Sequence, residues 1–255
     1  MEADVKESVR RQFGAAAARY AASAVHVGGP DLAAMLSAVP LTGRERVLDL
    51  GCGPGHTALA FSPQVQHVTG LDLTESMLAA ARALAAGRGI VNATFELSDA
   101  EHLPHPDGSI DLITSRYSAH HYPRPDAALL EAARVLRSGG TLLLVDVVAP
   151  ADPDGDALLN RIEILRDPSH VRDRTVDEWH AMASAAGLRC AGEVRLWPLQ
   201  LDFASWIARM QTPTARVREI QSLFDAAPDP VRAAFAVEPD HSFTVPVALI
   251  VATRP

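Results

Sequence analysis

The amino-acid sequence predicts an α/β protein with a doubly wound, mostly parallel β-sheet and helices on both faces. Short apolar runs, typical of buried strands, alternate with longer segments whose apolar residues recur every three or four positions. The 255 residues suit one large domain, and 48% of them are hydrophobic, which is enough for a substantial core. Because strands that alternate with helices pair in parallel, both faces of such a sheet are expected to be covered.

The chain begins with predicted helices. Residues from about 3 to 22 are rich in alanine and place apolar side chains, such as Val9 and Phe13, at helical spacing. A second helix is predicted to begin at Pro30, which suits the first helical position, and to end before Pro40. The segment RVLDL then predicts a central strand, because its apolar residues are nearly continuous and glycine follows them.

Strands and helices alternate downstream of this strand. Thr74 is predicted to cap a helix over residues 75–86 that ends at Gly87. Pro125 is predicted to begin another helix, with Arg137 in its last turn and glycine after it. Four further strands are predicted from their apolar runs: HVTGLDL, ATFELSD, IDLITS and TLLLVDVV.

The alternation stops after Ala149. The following segment, up to residue 174, is longer than an ordinary connection and is predicted to form a lid or binding segment. Thr175 and Glu178 form a predicted capping box for a helix that ends at Gly187. The strands VRLWPLQ and SFTVPVALIVAT are predicted around helical material at about 202–236.

These features predict three parts of the chain. They are an N-terminal helical segment (1–40), an α/β core (41–150), and an insertion or lid together with the C-terminal part of the same sheet (151–255).

Composition and charge exclude several functions. The net charge of −8 argues against a nucleic-acid binder, since affinity for phosphates needs a basic surface. Cys52 and Cys190 share no metal-ligand spacing, so we predict no metal site, and two cysteines indicate a reducing compartment. The N-terminus lacks the apolar segment of a signal peptide, and no apolar run is long enough to span a bilayer. The sequence therefore predicts a cytoplasmic protein without a transmembrane segment.

Three glycines, Gly51, Gly53 and Gly55, follow the first predicted strand. A glycine-rich turn between a strand and a helix lets backbone N–H groups approach a ligand. His56 stands where the dinucleotide fingerprint G-x-G-x-x-G has its third glycine, which weakens a nicotinamide or flavin interpretation. Asp72 closes the next strand about 20 residues later, where a carboxylate can accept hydrogen bonds from ribose hydroxyls.

Five segments follow one another in a diagnostic order: VLDLGCGPG, GLDLTESML, SDAEHLP, GSIDLITSRYSAHH and EAARVLRSGGTLLLVD. They resemble the successive motifs of the class I S-adenosylmethionine-dependent methyltransferases and are most similar to the ubiquinone/menaquinone-biosynthesis C-methyltransferase-like branch. The resemblance covers about residues 46–146 and extends loosely into EILRDPSHVR and DEWHAMASAAGL. It implies a Rossmann-like sheet of seven strands, one antiparallel near the end, with S-adenosyl-L-methionine as cofactor and a small-molecule methyl acceptor.

The resemblance also implies roles for individual residues. Asp72 would hold the ribose and Asp99 would accept a hydrogen bond from the adenine amino group. Leu73 and Met77 would flank the adenine, although both also fit ordinary core packing. The cofactor-binding positions implied in this way are Gly51, Cys52, Gly53, Gly55, Asp72, Leu73, Met77, Asp99, Ala100, Glu101 and Ser115.

Catalytic candidates follow the fourth strand. Methyl transfer from a sulfonium needs alignment and exclusion of water, and a base only if the acceptor must lose a proton. By its place in the family motif, His121 is predicted to be that base, with Arg116 facing the methyl-transfer region. Tyr117 and His120 are substrate-binding candidates, although His120 is expected to be packed or solvent-facing if His121 faces the cofactor. The alternatives are that both histidines are structural and that Arg116 pairs with an acid.

A second group of candidates lies outside the core. His170 could reach over the cofactor as a further catalytic residue, or belong to a turn that anchors the lid. Glu163 and Arg166 are substrate-binding candidates, or a helix-surface ion pair. In similar enzymes the N-terminal segment (1–40) folds over the S-adenosylmethionine-binding core (41–150) as a second lid, which adds Tyr20 and His26 as substrate-binding candidates. The alternatives are that Tyr20 belongs to the core-facing side of a helix and that His26 is a loop residue. Several aromatic residues frame a substrate pocket or belong to the core: Trp179, Trp197, Phe203, Trp206 and Phe243.

The leading hypothesis is an enzyme that methylates a small organic acceptor at carbon, oxygen or nitrogen. One alternative is a nicotinamide-dependent oxidoreductase, against which the glycine spacing speaks. The other is a cofactor-binding pseudoenzyme or partner subunit without turnover. The sequence indicates neither the acceptor nor the oligomeric state.

Overall fold

The computed structural model describes residues 2–21, 23, 27–190, 192 and 194–255. The strands in this part of the chain are β1 (Arg46–Leu50), β2 (His67–Asp72), β3 (Ala93–Leu97), β4 (Ile110–Arg116), β5 (Leu136–Val147), β6 (Arg189–Cys190), β7 (Arg195–Leu201) and β8 (Phe243–Thr253). The helices are α1 (Glu2–Ala21), α2 (Pro30–Ala38), α3 (His56–Phe61), α4 (Glu75–Gly87), α5 (Pro125–Val135), α6 (Pro153–Arg166), α7 (Val176–Ala185), α8 (Phe203–Met210), α9 (Thr214–Ala226) and α10 (Asp229–Ala234).

The strands form one sheet in the order β3-β2-β1-β4-β5-β8-β6, with β7 also paired to β8. Strands β1 to β5 are parallel, and β8 runs antiparallel to β5. Strands β6 and β7 pair with opposite ends of one edge of β8, Arg189 with Thr253 and Leu201 with Phe243. They therefore share one position, and the sheet has the seven positions that the resemblance implies. The predicted fold class is confirmed.

Two apolar cores lie on opposite faces of this sheet, because successive side chains of a strand point in opposite directions. Val47 and Leu143 belong to the core that α3, α4, α6, α8 and α9 cover. Their chain neighbours Leu48 and Leu144 belong to the core under α5 and α7. Helices on both faces explain why the central strands are largely apolar.

The structure corrects one predicted helix end and one predicted cap. Helix α5 ends at Val135, not at Arg137, because the buried Leu136 already pairs with Ile110 as the first residue of β5. Thr74 stands at the N-cap position of α4, but its side chain makes no capping hydrogen bond. The predicted capping box before α7 is confirmed, with both hydrogen bonds between Thr175 and Glu178 formed.

Helix α1 lies against the molecule near the carboxyl ends of the parallel strands. Its Gly14 carbonyl accepts a hydrogen bond from Ser76 of α4, and its Arg19 side chain donates to the carbonyl of Arg209 in α8. The helix thereby connects the core with the C-terminal helices. Among the described residues, none of the helices has the length and apolarity needed to cross a membrane.

Candidate active site

The turn after β1 has the backbone that only glycine adopts easily. Gly51, Gly53 and Gly55 have positive φ angles of 62°, 52° and 86°. A Cβ at Gly51 would lie 2.6 Å from the Cβ of Ser118, whereas one at Gly53 would meet nothing within 4 Å. Gly53 therefore faces open space that a ligand can approach.

Asp49, the fourth of the five residues of β1, stabilises the glycine turn through hydrogen bonds to neighbouring elements. Its carboxylate accepts hydrogen bonds from the backbone N–H of Ala58 in α3, at 3.2 Å, and from the hydroxyl of Thr114 in β4, at 2.7 Å. Burial raises the pKa of Asp49 to about 7, against the lowering effect of these two hydrogen bonds. The sequence analysis missed this residue, although an acid inside an otherwise apolar strand was a signal for it.

Asp72 lies at the end of β2, beside the glycine turn. One carboxylate oxygen accepts from the N–H of Gly53 and the other from the N–H of Thr74, both at 2.9 Å. Burial raises the pKa of Asp72, and the two hydrogen bonds oppose that rise. Each oxygen keeps a second acceptor position, so the side chain can receive hydroxyl donors.

A cavity of about 890 Å³, its mouth included, opens in front of the turn and Asp72. We call this space the first cavity. The expected site residues that line it are Tyr20, Gly51, Cys52, Gly53, Asp72, Leu73, Met77, Asp99, Ala100, Glu101, Arg116, Tyr117 and His121.

Two expected cofactor residues lie outside the lining of the first cavity. A Cβ at Gly55 would meet the ring of Phe95 and the Cβ of Ala81 at about 3 Å, so this glycine permits close packing of the turn. Ser115 is buried, and its hydroxyl pairs with that of Ser118, 2.9 Å away. Ser118 also donates to the carbonyl of Leu50, so Ser115 supports the wall from behind.

Lys6 closes one end of the first cavity and was missed by the sequence analysis. It is the only lysine in the sequence, and its Nζ lies 2.7 Å from Asp99 and 2.5 Å from Glu101. Burial opposes ionisation of Asp99, but the hydrogen bonds from Lys6 and from the backbone of Glu101, together with the charge of Lys6, outweigh burial and lower the pKa of Asp99. Helix α1 is thus bound electrostatically to the segment after β3, a contact across 93 positions of sequence that no local pattern indicates.

A second cavity, of about 570 Å³ with its mouth, adjoins the first. Four residues line both cavities: Phe13, Tyr20, Tyr117 and His121. Tyr117 has a φ of 52°, an uncommon backbone conformation for a tyrosine that is often found at functional sites. The other residues lining the second cavity are His120, Val147, Glu163, Arg166, Asp173, Leu199, Leu201, Trp206 and Arg209.

His121 is held in one tautomer in the wall between the cavities. Its Nδ1 lies 3.0 Å from the carbonyl oxygen of Ser169. Burial and then the charge of His120 lower the pKa of His121 to about 4. The ring is therefore neutral at pH 7, with the proton on Nδ1 and a lone pair on Nε2.

The neighbouring histidines have different surroundings. His120 pairs through Nδ1 with Asp146 at 2.6 Å. Burial opposes its protonation, but the Asp146 carboxylate outweighs this and raises the pKa of His120 to about 9. His170 lines neither cavity: it lies behind His120, with Nε2 3.4 Å from the side-chain oxygen of Asn160. The structure thus places His170 in the turn that anchors the segment after α6, and not over the first cavity.

Two arginines that were candidates for direct roles have buried acidic partners. Arg116 pairs with Asp31 of α2, and both side chains are almost fully buried. Arg166 pairs with Glu163 at 3.0 Å, also in the interior, so this is not the surface pair that the spacing allowed. His26 lies outside the described residues.

Of the aromatic residues that the sequence analysis singled out, Trp206 lines the second cavity. Trp179 is buried in the core under α7, and Phe203 and Phe243 pack in the opposite core. Among the described residues, no group of three or more His, Cys, Asp or Glu side chains is placed to hold a metal ion.

Comparison with known proteins agrees with this geometry. The family model of the methyltransferase domain matches residues 48–144, which include the glycine turn, Asp72 and His121. The chain is 42% identical to the uncharacterised methyltransferase YcgJ of Bacillus subtilis over 225 aligned residues. The aligned region covers 88% of each protein. The chain therefore belongs to the class I S-adenosylmethionine-dependent methyltransferases and is an enzyme that transfers methyl groups.

Further similarities extend over most of the chain. The crystal structure of YcgJ superimposes with a TM-score of 0.85 at 41% identity, over 88% of this chain and 97% of that protein. The uncharacterised protein YafE of Escherichia coli is 37% identical over 200 residues, 78% of this chain and 96% of YafE. The ubiquinone/menaquinone biosynthesis C-methyltransferase UbiE of Methylobacterium nodulans is 40% identical over 105 residues, 40% of this chain and 41% of UbiE.

Proposed function

We propose that this enzyme binds S-adenosyl-L-methionine in the first cavity and methylates a small molecule held in the second. The observation that carries the proposal is the wall of Phe13, Tyr20, Tyr117 and His121 that the two cavities share. In a displacement reaction the methyl donor and the acceptor need to meet, shielded from water, and the shared wall is where the two cavities adjoin.

The residues of the first cavity fit an adenosyl sulfonium. Gly53 leaves open space in which a ligand can approach the backbone, and Asp72 retains acceptor positions for two ribose hydroxyls. Leu73 and Met77 supply an apolar surface for the adenine, and Asp99 an acceptor for its amino group. When bound, the sulfonium supplies an activated methyl carbon, so the protein needs no metal or covalent intermediate for the transfer.

His121 supplies a base in the shared wall. Its Nε2 has a lone pair at neutral pH, because Nδ1–H is committed to the Ser169 carbonyl and the pKa is low. The ring can take a proton from a hydroxyl, amine or acidic carbon of the acceptor as that atom is methylated. The wall and α1 keep water away from the reacting atoms.

The acceptor is proposed to be a small molecule because the described part of the second cavity is lined by residues from the interior of the molecule. Trp206, Leu201 and Val147 are all less than a tenth exposed. Isothermal titration with S-adenosylhomocysteine tests the first half of the proposal, and radiolabelled methyl transfer to a panel of small molecules tests the second. Absence of S-adenosylhomocysteine binding would overturn the proposed function.

A further inference from the structure

Four of the charged groups around the second cavity form two pairs, and Asp173 and Arg209 stand outside these pairs. Glu163 and Arg166 pair at 3.0 Å, and His120 pairs with Asp146 at 2.6 Å. Asp173 is buried, and its burial raises the pKa of the carboxyl well above the ordinary range, which disfavours its negative form. These groups leave the cavity without a surplus negative charge.

The cation outside these pairs is Arg209, in the last turn of α8. It lines the second cavity, yet its side chain forms neither an ion pair nor a hydrogen bond within the part of the chain that the structure describes. Burial and the nearby charge of Arg166 lower the pKa of Arg209, but a guanidinium remains protonated at neutral pH. One unmatched positive charge therefore faces the cavity.

The remaining wall is mostly apolar, with polar atoms contributed by Tyr20, Tyr117 and His121. Leu199, Leu201 and Val147 come from the sheet, Trp206 from α8 and Phe13 from α1. A ligand that fills this space needs a mostly apolar body, with a single negative charge beside Arg209. A carboxylate matches both requirements, because it carries one charge and its two oxygens fit the guanidinium fork.

We propose that the methyl acceptor is a small carboxylic acid with an apolar or aromatic body, and that Arg209 binds its carboxylate. This inference rests on the proposed function, since it specifies what the second cavity holds. His121 lies in the wall that both cavities share, so the atom that receives the methyl group is expected beside His121 and the carboxylate beside Arg209.

The test compares acids with their uncharged amides. The probes are para-hydroxybenzoate, para-hydroxyphenylacetate and para-hydroxyphenylpropanoate, each paired with its carboxamide, titrated into the protein saturated with S-adenosylhomocysteine. We expect at least one acid to bind about 10- to 100-fold more tightly than its amide, as a charge-assisted bidentate contact provides. Arg209→Gln should abolish this preference and Arg209→Lys should keep part of it, because the charge remains but the fork is lost.

Arg218→Gln is the matched control, because Arg218 is an exposed arginine of α9 outside both cavities. It should behave like the wild type, and all variants should retain their affinity for S-adenosylhomocysteine. The proposal is overturned if no acid binds more tightly than its amide, or if the preference survives in Arg209→Gln. Methyl transfer to neutral acceptors with intact cofactor binding would overturn the acid specificity alone, whereas loss of S-adenosylhomocysteine binding in the wild type would overturn the proposed function.

Discussion

The Nδ1 of His121 lies 3.0 Å from the backbone carbonyl of Ser169, so two segments 48 positions apart set the tautomer of one imidazole. The carbonyl can only accept a hydrogen bond, which leaves Nε2 as the basic nitrogen. Because His121 lines both cavities, this contact places a basic imidazole nitrogen, Nε2, where the two cavities meet.

Replacement of His121 by alanine is expected to lower kcat by about 10²- to 10⁴-fold if it acts as the base. Affinity for S-adenosylhomocysteine, measured by calorimetry, should change little. His180→Ala is the control, since His180 lies on α7 outside both cavities. Equal turnover in the His121 variant would remove it as a base.

The activity profile with pH should reflect the lowered pKa of His121. A base works in its unprotonated form, and with a pKa of about 4 His121 is unprotonated throughout the neutral range. We expect log kcat/KM to rise through about pH 4 and to show no limb near 6.5, the ordinary pKa of histidine. A limb near 6.5 that disappears in His121→Ala would contradict the assigned environment.

Asp72→Ala is expected to weaken binding of S-adenosylhomocysteine by about 100-fold or more, because two hydrogen bonds to a charged acceptor are lost. Asp72 also accepts from Gly53 and Thr74, so the turn itself loses a support. Glu75→Ala removes an exposed acid three positions further on and should bind normally. Unchanged calorimetric affinity in the Asp72 variant would reject its role at the ribose.

Lys6→Met is expected to loosen α1 over the first cavity, since the contacts to Asp99 and Glu101 disappear. Stopped-flow measurements should show S-adenosylhomocysteine leaving several-fold faster, and hydrogen exchange of α1 should accelerate. Arg10→Gln serves as control, because Arg10 is an exposed residue of the same helix. Identical dissociation rates would show that Lys6 does not hold the helix over the ligand.

Asp49 is expected to make the free energy of unfolding depend on pH. Its folded pKa of about 7 exceeds the unfolded value, so the folded state binds the extra proton and loses stability as pH rises from about 4 to 7. The loss is at most about 4 kcal/mol from this group. The charges nearby that influence it are those of Arg116 and Asp72.

Asp49→Asn should remove this slope, because the amide can still accept from Ala58 and donate to Thr114. The free energy of unfolding, measured by denaturant at several pH values, should fall less steeply with pH than in the wild type. Asp107→Asn, at an exposed position, should leave the slope unchanged. Parallel curves for Asp49→Asn and the wild type would refute the assignment.

Much of the first cavity was predictable because local patterns specify it. Glycines after a buried strand, and acids at the ends of the next two, identify positions that a parallel sheet must bring to one edge. Gly51, Gly53, Asp72 and Asp99 accordingly line one cavity. Gly55 and Ser115 belong to the same motifs but face inward, which depends on packing against Phe95 and Ser118.

Contacts between residues from distant segments could not be predicted from such local patterns. Lys6 meets Asp99, Asp31 meets Arg116, and Asp146 meets His120, each across many positions of sequence. His170 has the residue type of a catalytic group, yet tertiary packing places it behind His120.

The sequence by itself determined the fold class, the order of strands and helices, and the glycine turn, because periodicity and backbone preference act over a few neighbouring residues. Only the tertiary structure decided which charges are neutralised, which histidine is neutral and which arginine remains unmatched. Those properties depend on burial and on distances between groups far apart in the chain, and the sum of such contacts exists only once the chain is folded.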